Sequence, residues 1–252
     1  MLGACLDRVR QRAPLIHNIT NYVTVNDVAN VLLACGASPI MADDQGEVED
    51  IISICAGLNI NIGTLSQRTI PAMLAAGKRA AVLGLPAVLD PVGAGASSLR
   101  TATARELLSQ VPFTAVRSNA SELKALLSGT GATRGVDADL ADAVTEDSLE
   151  QAVSFVKNAA ARLGTVVAVT GAIDLVADRE RCFVIRNGRP EMGRVTGTGC
   201  QLSGLTCAFL AYMRNYQYKK KSTAYKILQV ILMLMAILYI YMGAMGIYTL
   251  FR

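Results

Sequence analysis

One alternation restricts the fold of this chain more than any other feature. Between Pro14 and Tyr212, short apolar runs alternate with longer stretches whose apolar residues recur every three to four positions. Residues 38–41, 57–62, 87–90, 113–117 and the β-branched run 165–170 read as strands. Residues 173–177 and 182–185 add two more, with Asn187-Gly188 marking a turn. Residues 24–35 carry apolar side chains at 25, 28, 29, 32 and 33, a helical stripe that Gly36 is expected to stop. Helices are expected likewise over 66–81, 98–109, 118–127 and 147–163, each opening at a Ser or Asp able to cap. The pattern predicts an α/β fold: a mostly parallel central sheet with helices on both faces. Ligands of such sheets bind beyond the carboxyl ends of the strands, so the chemistry is sought there.

Composition narrows the class further. At 252 residues, with 52% hydrophobic and 17% charged, the chain can bury a large core and is no disordered polymer. The absence of Trp and 5% aromatics argue against a stacking platform for single strands. The net charge of +4 is unevenly spread: all 20 acidic residues precede Arg214. Six basic residues (Arg214, Lys219, Lys220, Lys221, Lys226, Arg252) follow with no acid, leaving the body slightly acidic. No basic groove for nucleic acid is expected on such a body. The six Cys (5, 35, 55, 182, 200, 207) form no C-x-x-C pair, which favours reduced thiols in the cytoplasm. The first 14 residues contain no apolar run long enough for a signal peptide.

Four strand ends carry the candidate chemistry. In Val195-Thr196-Gly197-Thr198-Gly199-Cys200 the glycines permit tight turns before an apolar helix over 202–213. The free N–H groups and dipole of that helix start suit a phosphate or a developing anion. Cys200 in the first turn is expected to have a lowered pKa and to act as base or nucleophile; a buried structural thiol is the alternative. No Gly-Lys-Ser/Thr follows, so a Walker A loop is excluded. Asp90, ahead of Pro91, Gly93 and Gly95, ends a strand and is placed to hold Mg²⁺ through water beside phosphates. Arg117 can fork onto a phosphate, and Glu122 can complete a magnesium shell or pair with Ser118 as a helix cap. Thr170-Gly171 adds a hydroxyl at another strand end. His17, the single histidine, lies among Asn18, Thr20 and Asn21 and suits a hydrogen-bonded structural role. Together these groups are a kit for moving a phosphoryl group to an alcohol.

With these motifs in view, the chain resembles the hydroxyethylthiazole kinases, thiamine-salvage enzymes of the ribokinase-like superfamily. Residues 14–21, 36–41, 61–65, 89–95, 117–122, 169–171 and 195–200 follow that family's order and spacing. The resemblance implies transfer of the γ-phosphate of ATP to 4-methyl-5-(2-hydroxyethyl)thiazole with Mg²⁺. It implies Met41 and Gly197 at the thiazole, with Asn21 nearby, and Arg117 and Thr170 at ATP. It further implies Asp90 and Glu122 near the metal, and Cys200 where related sugar kinases carry a catalytic Asp. A homotrimer with active sites between subunits is also implied. The competing expectations are another small-alcohol kinase of the superfamily and a membrane-tethered binding protein without turnover.

Past Arg214 the family pattern is expected to break, dividing the chain into a kinase body over 1–213 and a tail over 214–252. Residues 227–251 are 25 residues without a charge, and six of the eight Tyr follow Arg214. At 1.5 Å per residue that run matches a bilayer core of ~30 Å, so membrane contact is one expectation. A buried helix and an aberrant ending are the others.

Overall fold

The computed structural model describes residues 2–128, 143–186 and 189–214. They form one eight-stranded sheet in the order β2-β1-β3-β4-β5-β6-β7-β8. The strands are β1 (Leu15–Ile19), β2 (Ser38–Met41), β3 (Gly57–Asn61), β4 (Ala87–Asp90), β5 (Ala115–Ser118), β6 (Val166–Val169), β7 (Asp174–Ala177) and β8 (Cys182–Ile185). From β2 through β6 every pairing is parallel, and β7 and β8 close the far edge antiparallel. The expected mostly parallel α/β sheet is thus what the chain forms.

Eight helices accompany it among the described residues: α1 (Leu2–Arg12), α2 (Val25–Cys35), α3 (Val48–Ile54), α4 (Thr69–Val82), α5 (Ser98–Gln110), α6 (Ala120–Ser128), α7 (Leu149–Leu163) and α8 (Thr198–Arg214). The strand alternation decides which face each helix covers. Ile16, Val88, Ala115, Val166 and Ala168 point to one face and pack with α2 and α8. Their neighbours Leu58, Ile60, Leu89 and Val116 point to the other, against α4 and α5, and Val167 and Val169 meet α7 there. Residues 200–212 of α8 are buried all round, because sheet, α1 and α2 enclose it. Gly36 ends α2 in the left-handed region (φ 90°), with its N–H on the last carbonyls, as a C-terminal stop requires.

Three elements were not anticipated: α1, β1 and α3. The expected Ser118 cap is also replaced, since Asn119 is the residue before α6. Its Oδ1 accepts from the Glu122 N–H at 2.8 Å, and Glu122 Oε2 accepts from the Asn119 N–H at 2.9 Å. Ser118 instead ends β5, its hydroxyl buried without a partner. The cap of α5 is Ser97, one residue before the expected Ser98, and its hydroxyl accepts from Arg100 N–H at 3.2 Å; α4 and α7 show no side-chain cap bond.

No helix among the described residues is long and apolar enough to cross a membrane. The Asn187-Gly188 turn and the run 227–251 lie outside the described residues.

Candidate active site

The parallel register brings the polar strand ends together. Gly57, Asn59 and Asn61 alternate onto the α8 face of β3, as Asp90 does on β4 and Arg117 on β5. Asn61 and Asp90 are register partners, and the Asn61 amide donates to Asp90 Oδ2 at 2.8 Å. Ser203 Oγ, from the second turn of α8, donates to the same oxygen at 2.8 Å. Arg117 donates to Asp90 Oδ1 at 3.3 Å and, through its other terminal nitrogen, to the Thr170 hydroxyl. Asp90 is fully buried, which pushes its carboxyl up against the pull of Arg117, Ser203 and Asn61. Burial works against the Arg117 charge as well, but Asp90 and Glu122 outweigh it and raise its pKa.

Glu122 approaches from the other side of the Asp90 loop. Its Oε1 accepts from the Gly93 N–H at 2.8 Å, while Oε2 takes the Asn119 N–H. Gly93 has φ 74°, which lets its N–H turn inward. Burial first, and the Asp90 charge second, lift Glu122 to about 7. Among the alternatives left open for Glu122, the capping geometry is present, with Asn119 in place of Ser118.

Cys200 sits over this floor. The amides of Asn21 and Asn61 each donate to its Sγ at 3.2 Å. The expected lowering of its pKa is overturned. Burial, with Asp90 next, raises it and outweighs the neighbouring donors and Arg117. Cys200 is therefore a neutral thiol at neutral pH. The helix start itself is as expected. The first bond of α8 runs from Gln201 N–H to Gly197 O, so the N–H groups before it lie outside the helix's own bonding. A Cβ on Gly199 would overlap the Arg117 guanidinium, so the helix can approach the arginine only through glycine. Gly197 (φ 82°) likewise meets Thr24. Asn21 caps its own loop through Oδ1, which accepts from the N–H groups of Val23 and Thr24. Met41 is half-buried at the end of β2, packed on the cluster that contains Cys200. Seven of the eight candidate residues thus lie at or just past strand ends or at the start of α8, and Glu122 lies in the first turn of α6. Beside Asn61 a cavity of about 340 Å³ opens, lined by Thr20, Asp43, Thr64, Arg68 and Arg100.

The sequence model of the Hydroxyethylthiazole kinase family matches residues 6–234. The chain belongs to this family. A hydroxyethylthiazole kinase from Clostridium acetobutylicum is 58% identical over 211 residues, 84% of this chain and 77% of that protein. The solved structure of a hydroxyethylthiazole kinase protein from Pyrococcus horikoshii has a TM-score of 0.74 and 38% identity. It covers 94% of this chain, which covers 92% of it. A ribokinase-like superfamily protein from Enterococcus faecalis shares the fold at a TM-score of 0.60 and 11% identity, covering 96% of this chain, with 81% of its own length matched.

The family match runs past Arg214, where the pattern was expected to break, as far as residue 234. Within this hydroxyethylthiazole kinase framework two polar residues at the centre, Asn61 and Ser203, are not among the candidate site residues that the sequence motifs single out. Asn61 carried a signal: with Asn59 it is one of two polar residues on the inward face of a fully buried strand. Ser203 lies three residues after Cys200 and so shares its helical face.

Proposed function

We propose that this chain phosphorylates the hydroxyl of 4-methyl-5-(2-hydroxyethyl)thiazole with ATP, a step of thiamine salvage. The observation that carries the reading is the joint grip on Asp90. An arginine, an asparagine and a helix serine converge on one buried carboxylate beneath a glycine-opened helix start. Family membership and the named relatives support this acceptor over another small alcohol or a binding protein without turnover.

Met41, Gly197 and Asn21 are assigned to the thiazole, Arg117 and Thr170 to ATP. Phosphoryl transfer is chiefly positioning and charge stabilisation. Arg117 and the leading N–H groups of α8 supply positive potential where the transferred group gathers charge. Cys200, neutral and held by two amides, receives the acceptor hydroxyl as a weak hydrogen-bond partner and orients it. A carboxylate at this position would accept the proton better.

The residues fit a hydrated Mg²⁺ rather than a caged one. Every carboxylate oxygen of Asp90 and Glu122 already faces a donor, and no group of three metal-ligating side chains exists among the described residues. Mg²⁺ keeps several waters and needs one or two carboxylates, so Asp90 and Glu122 would hold it through that shell. Bound there, the ion would neutralise charge on the ATP phosphates.

The assembly assigned to the chain is a homotrimer in the cytoplasm. Tyr22 and Val23, 75% and 64% exposed beside Asn21, support a second copy covering this edge. The tail over 214–252 is assigned no role in the chemistry. The test is ATP-dependent phosphorylation of the thiazole alcohol by purified protein. Turnover of a different alcohol with none of the thiazole would move the assignment elsewhere in the superfamily.

A further inference from the structure

His17 is the single histidine of the chain and has no part in the chemistry above. It lies on β1, fully buried on the sheet face opposite α8, where its sheet-face neighbours Leu15 and Ile19 pack into the apolar core. Its register partner on β2 is Ile40, yet its ring reaches two residues further. There Nε2 lies 2.8 Å from the carbonyl oxygen of Ala42. A carbonyl can only accept, so Nε2 carries the hydrogen and Nδ1 is bare. Nδ1 meets no hydrogen-bond partner.

A ring that only filled space would not be chosen here. An apolar side chain would pack against Leu15 and Ile19 without burying an unpaired nitrogen. What the histidine adds is one directed N–H, and its target is telling. β2 is the edge strand, held by β1 alone, and its ladder with β1 ends at Met41. Ala42 is the next residue. Beyond it Asp43 lines the 340 Å³ cavity and pairs with Arg68 at 3.5 Å across the surface. Asp44 then turns the chain into α3, its Oδ1 accepting from Gly46 N–H at 2.8 Å.

We propose that His17 is a positioning residue for the acceptor side of the reaction. Through its N–H on the Ala42 carbonyl it fixes the exit of β2, and with it Met41 and Asp43. The inference rests on the assignment of Met41 to the thiazole pocket. It requires His17 to be neutral, and burial holds its pKa below the usual histidine value, the Ala42 bond notwithstanding.

Three forms of the full chain test it: the parent, His17→Leu without the donor, and His17→Gln, whose amide N–H can reach the same carbonyl. His17→Met replaces the Leu variant if that does not fold. Amide hydrogen exchange over residues 41–48 is read on the free protein, and KM for thiazole alcohol and for ATP are read separately. In His17→Leu exchange of this segment should accelerate about tenfold, with the thermal midpoint held or raised. KM for the thiazole alcohol should rise about five- to tenfold while KM for ATP stays within about twofold, and His17→Gln should restore most of both effects. Parental exchange rates in His17→Leu, or equal rises in both KM values, overturn the proposal. If the parent itself does not phosphorylate the thiazole alcohol, the functional reading fails, and the exchange data alone decide whether His17 holds the β2 exit.

Discussion

Asn61 and Asp90 end neighbouring parallel strands in register, and the amide of the first donates to the carboxylate of the second at 2.8 Å. The second hydrogen of the same amide points to Cys200 Sγ at 3.2 Å, and its oxygen accepts from the Gly63 N–H at 2.8 Å. Every hydrogen-bonding position of the amide except one lone pair is thereby used, which sets its orientation. The sheet register thus places the acid, the thiol and the loop after β3 on one side chain.

Replacing Asp90 by Ala should abolish the grip on Arg117 and leave that charge unpaired in a half-dry site. The expected cost is about 3 kcal/mol of stability, with turnover lower by about 10²-fold or more. Chemical denaturation and steady-state kinetics check both. A variant with parental turnover would remove Asp90 from the mechanism.

Cys200→Asp should keep or raise turnover, because the amides of Asn21 and Asn61 already point donors at that position. Cys200→Ala should lower kcat by about tenfold with little change in KM for ATP. Unchanged kcat in the alanine variant would leave Cys200 as packing only.

Gly199→Ala places a methyl group against the Arg117 guanidinium. The arginine must then leave Asp90 and Thr170 or the helix must withdraw. KM for ATP should rise by about tenfold, more than that for the alcohol. Separate titrations of the two substrates would show it. An equal rise in both would point to a general loss of packing.

Glu122 gives the protein a pH signature. Its folded pKa of about 7 lies above the usual glutamate value of about 4.5, so its contribution to stability is complete below pH 4.5 and is lost as pH rises through 7. The amount is on the order of 3 kcal/mol. Denaturation midpoints measured without metal should fall across that window in the parent and less steeply in Glu122→Gln. Added Mg²⁺ should oppose the fall, because a nearby cation favours the carboxylate. A parent and variant with parallel profiles would contradict the assignment.

Much of this architecture was legible in the sequence because it depends on patterning. β2, β4 and β8 fall at their expected bounds, and α2, α4, α5, α6 and α7 lie within a few residues of theirs. β1 was not legible, since His17 and Asn18 interrupt the apolar run that marks a buried strand. Those residues are polar because they bond to Ala42 O and Ile16 O, which only the folded sheet reveals. The site residues could be picked out one by one, as polar groups next to glycine at strand ends. Their mutual arrangement could not, because Asn61 and Ser203 acquire meaning only through register and the docking of α8. The direction of the Cys200 shift was not legible for a related reason. A helix start lowers a thiol pKa at the surface, but enclosure by α2 and the sheet, with Asp90 beneath, reverses the sign.

Incubation of the purified chain with ATP, Mg²⁺ and 4-methyl-5-(2-hydroxyethyl)thiazole, followed by ³¹P NMR, bears most directly on the central claim. A phosphate monoester of the thiazole alcohol should appear together with ADP, and Asp90→Ala should form neither above background. ATP left intact beside unmodified thiazole in the parent, or full activity in Asp90→Ala, would contradict it.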